Sequence, residues 1–246
     1  MAKNRTKFWT LLGSGPGNPE FLTLKAARIL NSAEIVLFDE GISASILDFI
    51  PDSCEKVGTQ GNFSRNSIRE VEKISKNRQV IRLKSGEPFL LESERVELAL
   101  AREFGFETTY LPGITTMQAM GCYHIPLTHR GLSEGILTIR AGSAGTALQT
   151  ELALALQTNS TVVIYQAVPY VEEIAKLYRF FGKENTPAAV IQNFFTAREK
   201  LVFTTVGELA GTTRQHRLGA QGLVVIGEVT RLGKRVVPES FQSGNV

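Results

Sequence analysis

Phe8-Trp-Thr-Leu-Leu-Gly-Ser-Gly-Pro-Gly-Asn-Pro-Glu20 decides how this chain is read. Phe8 to Leu12 is a short apolar run that predicts a β-strand stopping at Gly13. Glycines at 13, 15 and 17 then let the backbone turn tightly and let a ligand approach it closely. Asn18 and Pro19 supply a helix N-cap and a proline at the first helical position, with Phe21, Leu24, Ala27 and Leu30 expected on one face. Strand, glycine loop and helix open an α/β unit, and amides at a helix N-terminus can hold an anion.

The same rhythm continues outward. Strands are predicted over Glu34 to Phe38, Glu55 to Val57, Gln79 to Leu83 and Glu107 to Leu111. Helices are expected near Ser43 to Phe49, Asn66 to Lys76 and Glu92 to Phe104. Strand and helix in alternation imply parallel pairing with right-handed crossovers. Pro112-Gly113 breaks the pattern, a helix is expected from about Thr115 to Tyr123, and Pro126 breaks it again. A second series follows, with strands at Ile136 to Arg140, Thr161 to Tyr165 and Leu223 to Ile226, and helices at Ala147 to Gln157 and Val171 to Phe181. Ala188 to Gln192 and Leu201 to Thr205 are predicted to form an antiparallel hairpin. The tail after Pro238 is expected to fray. The expected organisation is two α/β domains, residues 1–113 and 114–246, meeting around residues 113–130, without an internal repeat, low-complexity tract or coiled-coil heptad.

Composition sets the outer bounds. Of 246 residues, 43% are hydrophobic and 21% charged, the range of ordinary globular proteins and not of disordered chains. No apolar run approaches the roughly 18 residues of a membrane-spanning helix. Met1 to Lys7 is basic but leads into no apolar stretch with a cleavage site, so no signal peptide is expected, and a cytoplasmic protein is. Cys54 and Cys122 lie far apart without a CxxC, and buried thiols are expected in preference to a disulfide or a metal site. Twenty-seven Lys+Arg against 24 Asp+Glu leave a charge of +3, too little for a nucleic-acid stripe but compatible with a polyanionic small molecule.

Several segments could carry chemistry. Asp39 and Glu40 end the second strand, where a dinucleotide enzyme keeps its ribose-binding carboxylate. The loop, however, is GxGxG and not GxGxxG, Asn18 occupies the third glycine's place, and Pro16 removes an amide from the loop. A nicotinamide cofactor is therefore not expected. Ser85-Gly86-Glu87-Pro88 stands at the carboxyl end of a parallel strand, where open α/β sheets bind ligands; a plain tight turn is the alternative. Leu111-Pro-Gly-Ile-Thr-Thr116 offers hydroxyls at a helix start, as ligand contacts or as caps. His129 could serve as acid or base, or be simply solvated. Arg130 and Arg140 could grip carboxylates bidentately, or be surface charges. His124 and His216 are assigned no function.

Taken in order, these segments resemble the tetrapyrrole methylase family, most nearly its branch acting on uroporphyrinogen III. The resemblance runs over about residues 8–230. It is carried by Leu12-Gly-Ser-Gly-Pro-Gly-Asn-Pro-Glu20 with Leu22-Thr-Leu-Lys-Ala26, Ala33-Glu-Ile-Val-Leu-Phe-Asp39, and Val80-Ile-Arg-Leu-Lys84 with Gly86-Glu-Pro-Phe89. Leu111-Pro-Gly-Ile-Thr115, Ile125-Pro-Leu-Thr-His-Arg-Gly131 and Val225-Ile-Gly-Glu-Val229 complete it.

The resemblance implies two α/β domains with S-adenosylmethionine in the cleft between them, and S-adenosylhomocysteine as the product. It implies a homodimer and methyl transfer to two pyrrole carbons of uroporphyrinogen III, giving precorrin-2 for sirohaem or cobalamin. Neither a nucleic acid nor a membrane is an implied partner. Asp39 matches the family's strand-end aspartate, proposed to accept a proton; a helix cap or salt-bridge partner is the alternative. Because the substrate is a polycarboxylate, Arg82, Lys84, Arg130 and Arg140 are candidate clamps. For the cofactor, Pro16 matches a loop proline, Ser85-Gly86-Glu87 a Gly-Gly-Asp run, and Leu90 the apolar contact after it. Thr115 and Thr116 match a Thr-Ser or Thr-Ala pair, Tyr165 and Gln166 a Tyr-Met pair, Phe194 a glycine, and Gly222 a small residue lining the adenine pocket.

Four departures qualify that picture. Leu91-Glu-Ser-Glu94 replaces a Phe-Gly-Arg-Gly run, an acidic stretch expected to repel a polycarboxylate. Thr59 replaces a lysine suggested as a proton donor, Gln166 a methionine and Phe194 a glycine, so the adenine side is expected to be altered or partly filled. The alternatives implied are a methylase of another precorrin, or a non-catalytic binding paralogue. A bifunctional sirohaem synthase is not expected.

Overall fold

The computed structural model describes residues 6–59, 63–75, 78–91, 94–141 and 146–233, so the tail expected to fray lies outside the described residues. The chain divides into two compact units, Met1–Thr116 and Met117–Val246.

The first unit has five strands, β1 (Lys7–Gly13), β2 (Ile35–Asp39), β3 (Glu55–Thr59), β4 (Val80–Lys84) and β5 (Phe106–Leu111). They form one sheet in the order β3-β2-β4-β1-β5, every pair parallel as expected. Helices α1 (Leu24–Asn31), α2 (Ala44–Phe49), α3 (Arg65–Ser75) and α4 (Glu94–Glu103) cover it. A parallel sheet is buried on both faces, so its strands carry near-continuous apolar runs. On one face Leu12, Val36, Ile81 and Leu83 pack with Ala26, Leu30 and Ile46 of α1 and α2. On the other, Trp9, Leu11, Ile35, Leu37 and Val80 pack with Ile68 and Val71 of α3 and Leu98 and Ala101 of α4. Side chains alternate along a strand, so Asp39 follows Ile35 and Leu37, and Arg82 and Lys84 follow Val80, onto the face that α4 covers.

β1 and β4 are neighbours, but the chain leaves β1 toward β2 and leaves β4 toward β5, on opposite sides. Their shared carboxyl end is thus a topological switch point, where open α/β sheets bind ligands.

One expectation in this unit needs correction. Asn18 caps only a 3-10 turn, Pro19–Phe21, its Oδ1 accepting from Glu20 N at 2.9 Å. Leu22 returns to extended backbone, and α1 starts from a second cap, Thr23, whose Oγ1 accepts from Ala26 N at 3.2 Å. The break rotates the buried stripe to Ala26 and Leu30, flanked by Leu22 and Ile29, and leaves Leu24 77% exposed.

The second unit holds β6 (Ile136–Arg140), β7 (Thr161–Tyr165), β8 (Pro187–Gln192), β9 (Lys200–Thr205) and β10 (Leu223–Ile226), ordered β6-β7-β10-β8-β9. Only β6 and β7 run parallel; the expected β8–β9 hairpin is present, from Pro187 opposite Thr205 to Gln192 opposite Lys200. Its helices are α5 (Thr146–Ala155), α6 (Val171–Phe180) and α7 (Leu209–Gln215). α7 is absent from the sequence reading because Gly211, Thr212 and Thr213 are poor helix formers; burial of Leu209, Ala210 and Thr213 decides it. The helix expected over residues 115–123 is a 3-10 segment, Gln118–Tyr123, without a side-chain cap and ended by His124 in the left-handed region at φ 58°. Among the described residues no helix is long and apolar enough to cross a membrane.

Candidate active site

At the switch point, the loops leaving β1, β4 and β5 meet through bare backbone. Ser14 N donates to Lys84 O at 2.7 Å, and Gly15 and Gly86 exchange N–H···O=C bonds of 3.3 and 2.8 Å. A Cβ on Gly113 would lie 2.1 Å from Gly86 O, and one on Gly13 would lie 2.6 Å from Gly113 N. Loop-to-loop packing therefore requires glycine at 13 and 113. Glu87 locks the arrangement, its carboxylate accepting from Phe89 N at 2.9 Å, from Gly113 N at 2.9 Å and from the Tyr110 hydroxyl. Burial and the Glu87 charge push the Tyr110 hydroxyl well above the ordinary phenol range.

This framework brings several expected residues together. Ser85 is exposed, Gly86 sits at φ 64°, and Leu90 N returns to Glu87 O at 3.2 Å. Pro16 is buried directly after the Gly15–Gly86 bridge. Thr115 is buried and Thr116 half-buried, with the Thr116 methyl 3.8 Å from where a Gly86 Cβ would stand.

One strand away, Asp39 ends β2 with its carboxylate ringed by donors. Arg82 Nη2 pairs with Oδ1, and Lys84 Nζ stands 3.0 Å from Oδ2. The Thr59 hydroxyl lies 3.0 Å from Oδ1 and 3.1 Å from Phe38 O, sharing one proton between them. Burial pushes the Asp39 carboxyl up, but the charges and hydrogen bonds of Arg82 and Lys84 outweigh it and hold it below its ordinary value. Asp39 is therefore ionised at neutral pH, and its side chain is still 31% exposed.

The same geometry corrects three expectations. Arg82 is fully buried and Lys84 nearly so, their charges engaged by Asp39, Glu94 and Glu97, so neither can reach a substrate carboxylate. Both instead set the state of Asp39. Glu94, expected to repel an anionic substrate, is buried and pairs with Lys84 Nζ at 2.9 Å; Glu92 and Ser93 lie outside the described residues. Glu97 was not singled out in the sequence, and nothing there pointed to an inward role for Glu94. The available signal was helical spacing, since they share a stripe with Leu98 and Ala101.

In the second unit, Tyr165 Oη accepts from Met117 N at 3.2 Å, and Gln166 turns the chain after β7 at φ 54°. That turn packs on Gly222: Ala167 N reaches Gly222 O at 3.4 Å, and a Cβ there would meet Val168 Cγ2 at 2.8 Å. Phe194 is a core residue and not a pocket-lining one, buried in a cluster with Tyr123, Leu201 and Leu223 and set edge-on to the Tyr123 ring at 6.3 Å. Phe195 stacks on Tyr123, and Glu199 ties the pair, accepting from Tyr123 Oη and from Phe195 N at 2.6 Å each. His129, Arg130 and Arg140 are exposed, and His129 Nδ1 lies 3.0 Å from Arg130 O. Cys54 is buried and Cys122 half-buried, both as free thiols, and burial raises both. Among the described residues no group of His, Cys, Asp and Glu could hold a metal ion.

A parallel sheet whose switch-point loops meet through glycine backbone, followed in the chain by a mixed five-stranded sheet, defines the class: a two-unit α/β protein. Residues 10–210 match the family model of the Tetrapyrrole (Corrin/Porphyrin) Methylases, and the chain belongs to that family. It is 32% identical to the S-adenosyl-L-methionine-dependent uroporphyrinogen III methyltransferase of Methanosarcina barkeri, over 94% of this chain and 95% of the relative. It is 33% identical to the uroporphyrinogen-III C-methyltransferase of Pseudomonas aeruginosa, over 92% of this chain and 94% of the relative. The siroheme synthase of Chromobacterium violaceum is 27% identical over 92% of this chain, which spans only 50% of that protein's length. Among solved structures, the uroporphyrin-III C-methyl transferase from Thermus thermophilus, complexed with S-adenyl homocysteine, superimposes with a TM-score of 0.74. That similarity is at 29% identity and covers 92% of this chain and 94% of the other.

Proposed function

We propose that the chain is an S-adenosylmethionine-dependent C-methyltransferase that converts uroporphyrinogen III to precorrin-2, a product leading to sirohaem or cobalamin. The observation that carries the reading is Asp39, an ionised, partly exposed carboxylate one strand from the switch-point loops. Full-length relatives at 32% and 33% identity, named for action on uroporphyrinogen III, support the substrate.

The residues of the first unit fit the cofactor. Ser85 and the Gly86-Glu87 backbone stand at the switch point, and the Glu87 carboxylate is turned back onto Tyr110 and Gly113. Pro16, Ser85, Gly86, Glu87, Leu90, Thr115 and Thr116 would hold the methionine end, and Tyr165, Gln166 and Gly222 the adenosine end. Phe194 would act from behind, as packing. When bound, the cofactor supplies a methyl group already activated on a sulfonium.

The chain's own residues do the rest. Thr59, Arg82 and Lys84 fix the Asp39 carboxylate as an oriented anion, and Asp39 accepts the proton lost when a methylated pyrrole carbon rearranges. A carboxylate of lowered basicity suffices, because the methylated ring is cationic and strongly acidic. Arg130 and Arg140, exposed and outside the buried charge cluster, are the proposed grips for substrate carboxylates. A cytoplasmic homodimer completes the proposal.

Anaerobic incubation with pure uroporphyrinogen III and S-adenosylmethionine, followed by mass spectrometry, tests it. A doubly methylated product is expected. Methylation of a later corrin intermediate alone would assign the chain to another precorrin, and no methylation of any acceptor would favour a binding paralogue.

A further inference from the structure

We infer that Glu97 is a positioning residue for the proposed methyl transfer: acting through Arg82, it sets how firmly Asp39 is held, and the presence or absence of its proton governs that hold. The inference rests on the functional reading above and adds a residue that nothing in the sequence motifs points to.

The geometry is that of a buried five-membered charge cluster. Arg82 faces two carboxylates at once, its Nη2 on Asp39 and its Nε on Glu97, donating to Oε2 at 3.3 Å and standing 3.2 Å from Oε1. Lys84 bridges the other two, 3.0 Å from Asp39 Oδ2 and 2.9 Å from Glu94 Oε1. Two cations thus confront three carboxylates. Asp39 and Glu94 already balance Arg82 and Lys84, so Glu97 is the surplus acid. It is also among the most enclosed, 6% exposed on its side chain, and its Oε1 receives no well-directed hydrogen bond, the Arg82 Nε contact being off-angle. A buried carboxylate with an unsatisfied oxygen is costly when charged, and taking up a proton removes that cost. Burial, working against Arg82 and Lys84 and aided by Glu94, pushes the Glu97 carboxyl up to about 7.

No other charge competes for it among the described residues of the neighbouring elements. The Phe63 ring lies over the Arg82 guanidinium at 4.7 Å and is neutral. On α3, Arg65 pairs with Glu103, Glu70 with Lys73 and Glu72 with Lys7 of β1, while Arg69 lies over the Phe104 ring. Glu107 on β5 is exposed.

The consequence has a definite sign. With Glu97 protonated, Arg82 is committed to Asp39 and keeps it weakly basic. As pH rises through neutrality Glu97 ionises, shares Arg82, and adds a negative charge beside Asp39, which becomes the stronger base. Asp39 cannot supply a neutral limb itself, since it is held below 3.8.

Infrared titration of the cofactor-free protein, wild type against Glu97→Gln, tests this. The wild type is expected to show a protonated-carboxyl band that disappears around pH 7, absent from the variant. Turnover should rise about threefold through neutrality in the wild type, following the modest rise in basicity. In Glu97→Gln it should stay flat at the low-pH level, with the acceptor KM unchanged. A wild type without the band, or a variant that keeps the neutral limb, would overturn the inference. The infrared arm uses no substrate, so a failure to methylate uroporphyrinogen III sinks the functional reading and leaves the Glu97 titration to be decided separately.

Discussion

The loops at the ends of the two sheets are fixed in opposite ways. In the first unit the turns beyond β1, β4 and β5 meet through bare backbone at Gly13, Gly86 and Gly113, and beside them lies a cluster of five buried or half-buried charges. In the second unit the turns beyond β7 and β8 are held by side chains. Gln166, Asn193 and Phe195 take left-handed backbone, Val168 packs on Gly222, and Glu199 ties Tyr123 to Phe195. Glycine contacts leave no side chain to yield, whereas a side-chain contact can shift. The contrast locates the demanding electrostatics and the least forgiving geometry in the first unit, and assigns the second a scaffold made mainly of apolar packing.

That contrast can be broken by substitution. Asp39→Asn should lower turnover by roughly 10²–10⁴-fold, the range for a positioned proton acceptor, with S-adenosylhomocysteine affinity unchanged. Steady-state kinetics beside calorimetry would check both halves, and undiminished turnover would make Asp39 purely structural. Arg82→Met should cost about 3–5 kcal/mol in a urea unfolding titration, because it removes the direct ion-pair partner of the buried Glu97 and leaves the half-buried Asp39 to Lys84 and Thr59 alone. Glycine substitutions compare the units directly. Gly113→Ala drives a Cβ to within 2.1 Å of a carbonyl oxygen and should cost about 3 kcal/mol. Gly222→Ala meets only a valine methyl at 2.8 Å and should cost about 1 kcal/mol. Equal losses at the two sites would remove the distinction between the units.

The pH dependence of stability separates the two acids. Glu97 binds its proton more tightly folded than unfolded, so stability is lost as pH rises from about 4.5 to about 7. Asp39 works in the other direction, its contribution being lost as pH falls through a folded value below 3.8. Melting temperatures of wild type and Glu97→Gln across that upper window should converge at its acid end and diverge at its alkaline end.

Much of the parallel sheet was legible because its strands are short apolar runs punctuated by glycine, and β2 ends at Asp39 for all to read. The carboxyl-end loops were legible for the same reason. What hid was whatever depended on tertiary burial. Arg82 and Lys84 look like clamps in a sequence, since cations are rarely found inside, and only Asp39, Glu94 and Glu97 make their burial tolerable. Glu94 looked like exposed acid for lack of any local sign of Lys84. Phe194 looked like an intrusion into a pocket, but Tyr123, far away in the chain, gives it a place in the core. α7 formed against its own propensities because Leu209 and Ala210 are buried.

A methyltransferase depends most directly on cofactor binding, and calorimetric titration of the purified protein with S-adenosylhomocysteine tests it. One saturable site per chain is expected, retained in Asp39→Asn. An absence of binding heat at millimolar ligand would contradict it and leave a protein that has the fold of a methylase without its cofactor.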